Sequence, residues 1–292
     1  MINYYKYLPI SREDEDWGLC VLNAGCTHIS GSDTYPGKDH PAHHYFNWNA
    51  GRVLNEYQVI YITRGSGVFE SDNCRKQSIK AGTIIILFPG ERHRYKPDQD
   101  TGWDEYWIGL KGDIVENLAK NDFIKPDNPT LYIGFNEHVF NLFNTIIDAT
   151  KQEPSGYQPY ISGAALHLIG AVHTIIKQRA MDSEDKELII QKARLLFRSN
   201  IAADFSPEKA AEELKVGYSW FRKVFKNYTG LSPGQYYIQL KIERAKELLN
   251  NPDLPIKQIA YDLGFENYFY FSKLFKEKTG LTPTDHRKRA LS

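Results

Sequence analysis

The chain repeats itself near its C-terminus, and that repeat constrains the fold more than any other feature. Lys223-Val224-Phe225-Lys226 and Thr229-Gly230-Leu231-Ser232-Pro233 return fifty positions later as Lys273-Leu274-Phe275-Lys276 and Thr279-Gly280-Leu281-Thr282-Pro283. Phe221 matches Phe271 at the same offset. Ahead of them, Ala211 matches Ala260 and Leu214 matches Leu263 at forty-nine, so the second copy carries one extra residue in its turn. Self-similarity of this kind marks a duplicated supersecondary unit.

Each copy reads as helix-turn-helix, over about 206–230 and 255–280. In the first, Ser206-Pro207 supplies an N-cap and a proline at the first helical position. Ala210, Ala211 and Leu214 follow at helical spacing, and Val216-Gly217 makes the turn. Trp220, Phe221, Val224 and Phe225 form the inward stripe of the next helix. In the second, Pro255 suits a first turn, Ile256, Ile259, Ala260 and Leu263 form the stripe, and Gly264 ends it. Asn267 caps the helix that buries Phe271, Leu274 and Phe275. Ile238, Ile242, Ala245 and Leu249 make one stripe of a connecting helix, stopped by Asn250-Asn251-Pro252.

The outward faces of the second helices carry Tyr218, Ser219, Arg222, Lys223 and Lys226 in one copy. In the other they carry Tyr268, Phe269, Ser272, Lys273 and Lys276. A single lysine on such a face merely solvates it. A basic set with hydroxyl and aromatic partners, duplicated at fixed spacing, suits the phosphates and base edges of double-stranded DNA. Charge agrees: residues 183–292 hold 19 Lys+Arg and 14 Asp+Glu, whereas residues 1–182 hold 17 and 22. A basic C-terminal third fits a polyanionic partner.

Ile259-Ala260, Gly264-Phe265, Phe271, Phe275-Lys276, Gly280 and Pro283 together resemble the DNA-binding domain of the AraC/XylS family of transcription regulators. The resemblance covers about residues 185–290. It implies seven helices, two of them recognition helices in successive major-groove segments. It further implies base contacts from Ser219 and Lys223 in the first unit and from Phe269 and Lys273 in the second. RNA polymerase and an operator or promoter are the implied partners. Gly217 stands where the family usually has a serine cap. Phe269 stands where a polar reader is common, which fits contact with a thymine methyl.

The rest of the chain differs in period. Tyr57–Thr63, Ser66–Glu70, Thr83–Phe88 and Tyr106–Leu110 are strand-like, separated by Gly65, Asp72-Asn73, Ala81-Gly82 and Pro89-Gly90. Residues 1–50 read as irregular. From about 135 the period becomes helical: Val139, Leu142, Phe143, Ile146 and Ile147 form one stripe. Ile161, Ala165, Leu168, Ile169, Val172, Ile175 and Ile176 form another, after Pro154-Ser155-Gly156. That hairpin covers the strands, and the long stripes are also an expected homodimer seam. The polar break Met181–Asp185 places a boundary between domains 1–182 and 183–292. The expected class is α+β: a cupin-like β-barrel (jelly roll) with a helical hairpin, then an all-α domain of two helix-turn-helix units.

Gly82, Pro89-Gly90 and His93 resemble the second half-motif of cupin barrels, which supplies one metal-binding histidine. The first half-motif's remaining ligands fall on Arg52, Leu54 and Gln58, or on Val53 and Gly51 in the other spacing. Three of four ligands are therefore absent, and no metal or other cofactor is expected. His40, His43 and His44 read as loop residues. Tyr57–Gly67, Phe88–Tyr95 and Trp103–Trp107 are similar to the sugar-sensing domain typical of arabinose-operon regulators. That likeness implies a pocket lined by Tyr95, Glu105 and Trp107. Arg52 and His93 are further candidates at the barrel mouth. An indole stacks on sugar C–H groups while a carboxylate and a phenol bind hydroxyls.

The leading expectation is a transcription regulator, an activator of carbohydrate-utilisation genes controlled by a sugar-like effector, and not an enzyme. A metal-dependent cupin enzyme with an appended DNA-binding domain is the alternative. A DNA-repair alkyl transferase needs zinc-spaced cysteines. Cys20, Cys26 and Cys74 are odd in number and form no C-x-x-C pair. The N-terminus has no apolar signal core and no run approaches ~20 apolar residues. The expectation is a reduced, cytoplasmic protein without a membrane partner.

Overall fold

Strand alternation in the N-terminal half resolves into two antiparallel sheets that share one bent strand. The computed structural model describes residues 3–33, 48–180, 184–201 and 205–291. It divides into two units, Met1–Ala180 and Met181–Ser292. The first contains β1 (Tyr4–Tyr7), α1 (Arg12–Asp16), β2 (Cys20–Ile29), β3 (Arg52–Val53), β4 (Tyr57–Ser71), β5 (Gln77–Lys80), β6 (Thr83–Leu87), β7 (Arg92–Pro97), β8 (Trp103–Lys111), α2 (Asp113–Lys120), β9 (Thr130–Tyr132), α3 (Glu137–Gln152) and α4 (Tyr157–Ala180). One sheet runs β1-β2-β8-β4-β6-β9, while β5 and β7 pair along the far half of β4 and β3 pairs with β7.

The first half of β4 shows why this half of the chain forms strands. Tyr57, Val59 and Tyr61 enter the core beneath the helices, while Ile60 and Ile62 enter the barrel interior with Tyr95 and Trp103. Both faces are covered, so the run is apolar without a polar alternate. Gly65 does not separate two strands, as the sequence implies. β4 continues through it: the register against β8 slips between Ile62 and Arg64, and Gly65 takes φ 82° at the bend. A Cβ there would lie 1.9 Å from the Gly102 carbonyl oxygen. The bulge passes one strand from sheet to sheet and closes the barrel.

Two further expectations need correction. Residues 1–50 are not irregular where described. β2 is ten residues long and pairs with both β1 and β8. Its small residues obscure the period because each face is buried: Val21, Ala24 and Cys26 go to one core and Ile29 to the other. The helical stripes, second, are largely spent within the unit, with Leu142, Ile175 and Ile176 only partly buried. Phe143, Ile146, Ile161, Ala165 and Leu168 are fully buried against the sheet. They are therefore not available as a dimer seam. Tyr157–Arg179 holds no unbroken apolar run of about 20 residues, but its most apolar 18-residue stretch has mean hydropathy 1.3, so it is long and apolar enough to cross a membrane by length and composition. Its buried face is that of a core helix.

The second unit is helical: α5 (Glu184–Ser199), α6 (Pro207–Glu213), α7 (Tyr218–Thr229), α8 (Pro233–Leu249), α9 (Ile256–Asp262), α10 (Tyr268–Thr279) and α11 (Pro283–Leu291). Two aromatic-rich cores form. Phe197, Phe221, Phe225 and Tyr237 anchor one; Ile242, Leu249, Phe271 and Phe275 anchor the other. α8 contributes to both, so the connecting helix joins the two helix-turn-helix units.

Candidate functional site

The barrel gathers the predicted pocket residues from three strands. Arg52 lies on β3, His93 and Tyr95 on β7, and Glu105 and Trp107 on β8. Period two points Trp103, Glu105 and Trp107 to one face of β8. The Arg52 guanidinium organises the group. Its Nε donates to His93 Nε2 at 3.1 Å and a terminal nitrogen donates to the Tyr95 hydroxyl at 2.6 Å. His93 Nδ1 in turn donates to the Glu91 carbonyl at 3.0 Å. This network fixes the neutral tautomer with its lone pair on Nε2. Burial, reinforced by the Arg52 charge, holds His93 down at about 3.

Glu105 is 6% exposed. Burial raises its pKa to about 7, against the opposing Arg52 charge and the nearby Trp103 indole. Its Oε2 has no hydrogen-bond partner among the described residues. A buried carboxyl oxygen left open is a ready acceptor for a hydroxyl that enters the barrel, or a donor when protonated. Trp107 is half-buried against the same apolar wall. Its indole lies over Gly25, where a Cβ would come 2.4 Å from the ring. Trp103 was absent from the predicted pocket yet is fully buried, its ring 6.0 Å from that of Tyr95. The Trp103-x-Glu105-x-Trp107 alternation is the signal that could have found it.

The cupin metal positions do not assemble. The His93 lone pair that would meet a metal accepts from Arg52. Leu54 is buried in the barrel core, and the Gln58 amide donates towards Asn23 and Glu56 at 3.5 and 3.4 Å. Among the described residues no three His, Cys, Asp or Glu side chains gather to hold an ion. His40, His43 and His44 lie outside the described residues. The three cysteines are buried, and no disulfide joins them.

The two helix-turn-helix units share one turn geometry. Val216 N–H bonds the Ala211 carbonyl at 3.0 Å and Lys215 N–H bonds that of Glu212 at 2.9 Å. Phe265 bonds Ala260 at 3.0 Å and Gly264 bonds Tyr261 at 2.8 Å. Both are Schellman closures. The left-handed residue is Lys215 (φ 56°) in one and Gly264 (φ 69°) in the other. The first turn therefore pivots at Lys215, not at Val216-Gly217. Gly217 caps α7 without a side-chain bond, whereas Asn267 Oδ1 accepts from the Phe269 and Tyr270 amides at 2.7 and 3.3 Å.

Ser219, Arg222, Lys223 and Lys226 are exposed on α7; Phe269, Lys273 and Lys276 are exposed on α10. Tyr218, Tyr268 and Ser272 are half-buried. Burial, and then the Glu208 carboxylate bonded to its hydroxyl, raise the pKa of Tyr218. Trp220 is not part of the inward stripe: it is 40% exposed, and its fifty-offset counterpart Tyr270 is 55% exposed. Sequence reasoning missed this aromatic pair, although the repeat aligns it. Phe269 is 79% exposed, an apolar ring that the unit's own core leaves in water.

Two family models match the chain. The AraC-like ligand binding domain covers residues 33–191 and a helix-turn-helix domain covers residues 210–289. The MmsAB operon regulatory protein of Pseudomonas aeruginosa is 26% identical, over 80% of this chain and 76% of its own. The raffinose operon transcriptional regulatory protein RafR of Pediococcus pentosaceus is 25% identical, over 83% and 88%. Among solved structures, the C-terminal domain of AraT, a response regulator from Geobacillus stearothermophilus, is 30% identical. That match covers 35% of this chain and 84% of that one, with a TM-score of 0.34.

Proposed function

Because this chain belongs to the family that carries the AraC-like ligand binding domain and is a DNA-binding transcription regulator, we propose that it activates carbohydrate-utilisation genes when a sugar occupies its barrel. The observation that carries the sugar reading is the barrel's donor and acceptor set. An open Glu105 oxygen, the Tyr95 hydroxyl and the Arg52 guanidinium lie beside Trp103 and Trp107. Polyols need hydrogen-bonding groups set against an apolar face, and this cluster supplies both. Curated relatives named for raffinose and lactose operons point the same way. Recognition of the operator is assigned to Ser219, Lys223, Phe269 and Lys273, with Arg222, Lys226 and Lys276 on phosphates. A homodimer, RNA polymerase contact and a cytoplasmic location complete the reading. The metal-enzyme alternative has no support from the cluster, since Arg52 occupies the face of His93 that a metal would use.

The test is thermal unfolding of the full chain against a panel of mono- and oligosaccharides, followed by calorimetry on any hit. One sugar should raise the midpoint, and Glu105→Gln should weaken its binding by about 1–3 kcal/mol, the cost of an unmatched buried hydrogen bond. No response to any sugar, or binding indifferent to Glu105→Gln, sinks the sugar assignment.

A further inference from the structure

The first unit holds a second cavity, outside the barrel, of about 490 Å³. Its floor is the outer face of the sheet at Val59 and Ile86. Phe123 closes one side, and α4 covers it with Leu166 and Ile169. Volume and lining match small-molecule sites, roughly 300–1,000 Å³, apolar with a few polar groups. The charged and titratable groups sit at Asp122, Lys125, His173 and Lys177, with the Asn128 amide beside them. Asp122 and Lys125 pair at 3.4 Å, so their charges offset. Lys177 forms no ion pair among the described residues, and it stands one turn from His173 on the same face of α4. Among the described residues the cavity is thus an apolar hollow with one uncompensated cation at its edge.

We propose that this cavity binds an apolar monocarboxylic acid, with its chain beneath α4 and its carboxylate at Lys177 and His173. Here His173 stays neutral: burial and the Lys177 charge both hold its pKa below the ordinary value. It can therefore donate or accept without adding charge, and Lys177 supplies the attraction. α4 is also the last element of the first unit before the chain enters the second. A ligand wedged beneath it would act on the segment that leads to the DNA-binding half.

Calorimetric titration of the full chain with decanoate and, separately, decanol tests this. Decanoate should bind saturably at one per chain, and decanol more weakly. Lys177→Gln should weaken decanoate about two- to fivefold, as expected for one exposed ion pair, and leave decanol unchanged. Gly170→Trp should abolish both. Gly170 lines the cavity and a Cβ there meets nothing within 4 Å, so an indole can fill the space without strain. Gly163→Trp is the control: it lies two turns earlier on the same helix, equally open but off the cavity, and should retain binding. Absence of saturable decanoate binding overturns the proposal. So does equal loss in both tryptophan variants, or decanoate affinity indifferent to Lys177→Gln. None of these outcomes bears on sugar binding in the barrel.

Discussion

At the scale of residues, Glu105 and His93 set opposing pH dependences in one cluster. Glu105 is raised from 4.5 to about 7. Between those values the folded chain keeps a proton that the unfolded chain has lost, so this contribution to stability falls as pH rises. His93 is lowered from 6.5 to about 3. Across that window the unfolded chain binds a proton that the folded chain lacks, so its contribution falls as pH drops. From about 4.5 to 6.5 the two slopes cancel. Glu105→Gln should unmask His93: denaturant unfolding of the first unit should then gain about 1.4 kcal/mol per pH unit between 4.5 and 6.5. A flat profile in that variant would show that His93 titrates normally. On the recognition helices, Lys223→Ala and Lys273→Ala should each relax base preference by about 1–3 kcal/mol. Lys226→Ala should weaken all sequences alike and shallow the salt slope by about 0.9. Binding measured on operator and scrambled DNA at several salt concentrations separates the two. Uniform loss in all three variants would remove Lys223 and Lys273 as base readers.

At the scale of elements, the two helix-turn-helix units fold alike while solving their turns with different residues. A lysine in the left-handed region is strained by about 1–2 kcal/mol relative to glycine. Lys215→Gly should therefore stabilise the first turn by about 1 kcal/mol, while Gly264→Lys should lose a similar amount. Asn267 and Gly217 make a second contrast. Asn267→Ala should cost about 1 kcal/mol by stripping two amides of their cap, and Gly217→Ser should gain a few tenths. Thermal unfolding of the second unit reads all four. If Lys215→Gly destabilises, the lysine side chain is making a contact that outweighs its backbone strain.

At the scale of the whole molecule, the buried stripes of α3 and α4 change how a dimer is to be tested. Leu168 is fully enclosed within its own unit. Leu168→Glu should therefore unfold the first unit, by several kcal/mol for an unpaired buried charge, and not merely dissociate a dimer. Tyr160, 59% exposed on α4, is the position where a charge tests association without touching the core. Tyr160→Glu should shift sedimentation toward monomer while leaving the unfolding midpoint within about 0.5 kcal/mol of wild type, the usual range for surface changes. Ligand and operator must also act on each other by the same factor, because coupling between two binding sites is reciprocal. Titrating operator with and without the barrel ligand, and the ligand with and without operator, checks that equality. A monomer that still responds to ligand removes the dimer from the mechanism and leaves the regulator.

The sequence by itself determined the duplicated helical unit, its caps and its aromatic core. These are local: Ser206-Pro207, Asn267 and the Phe221/Phe225 and Phe271/Phe275 pairs act within a few residues of themselves. Strand period fixed that Trp103, Glu105 and Trp107 share a face, and the family resemblance pointed to Tyr95 and Glu105, while the fold brings Arg52, His93 and Tyr95 together from separate strands. Tertiary structure decided the rest. β2 is legible as a strand only when β1 and β8 lie beside it, since small residues buried on both faces leave no alternation to read. Gly65 reads as a turn until the close approach of Gly102 shows a single strand bending between sheets. Trp220 spaces like a core residue, and only the completed packing of Phe221 and Phe225 leaves it facing water. The stripes of α3 and α4 are apolar whether they meet a sheet or a second copy. Periodicity records that a face is buried but not what buries it, and that partner lies far away in the chain.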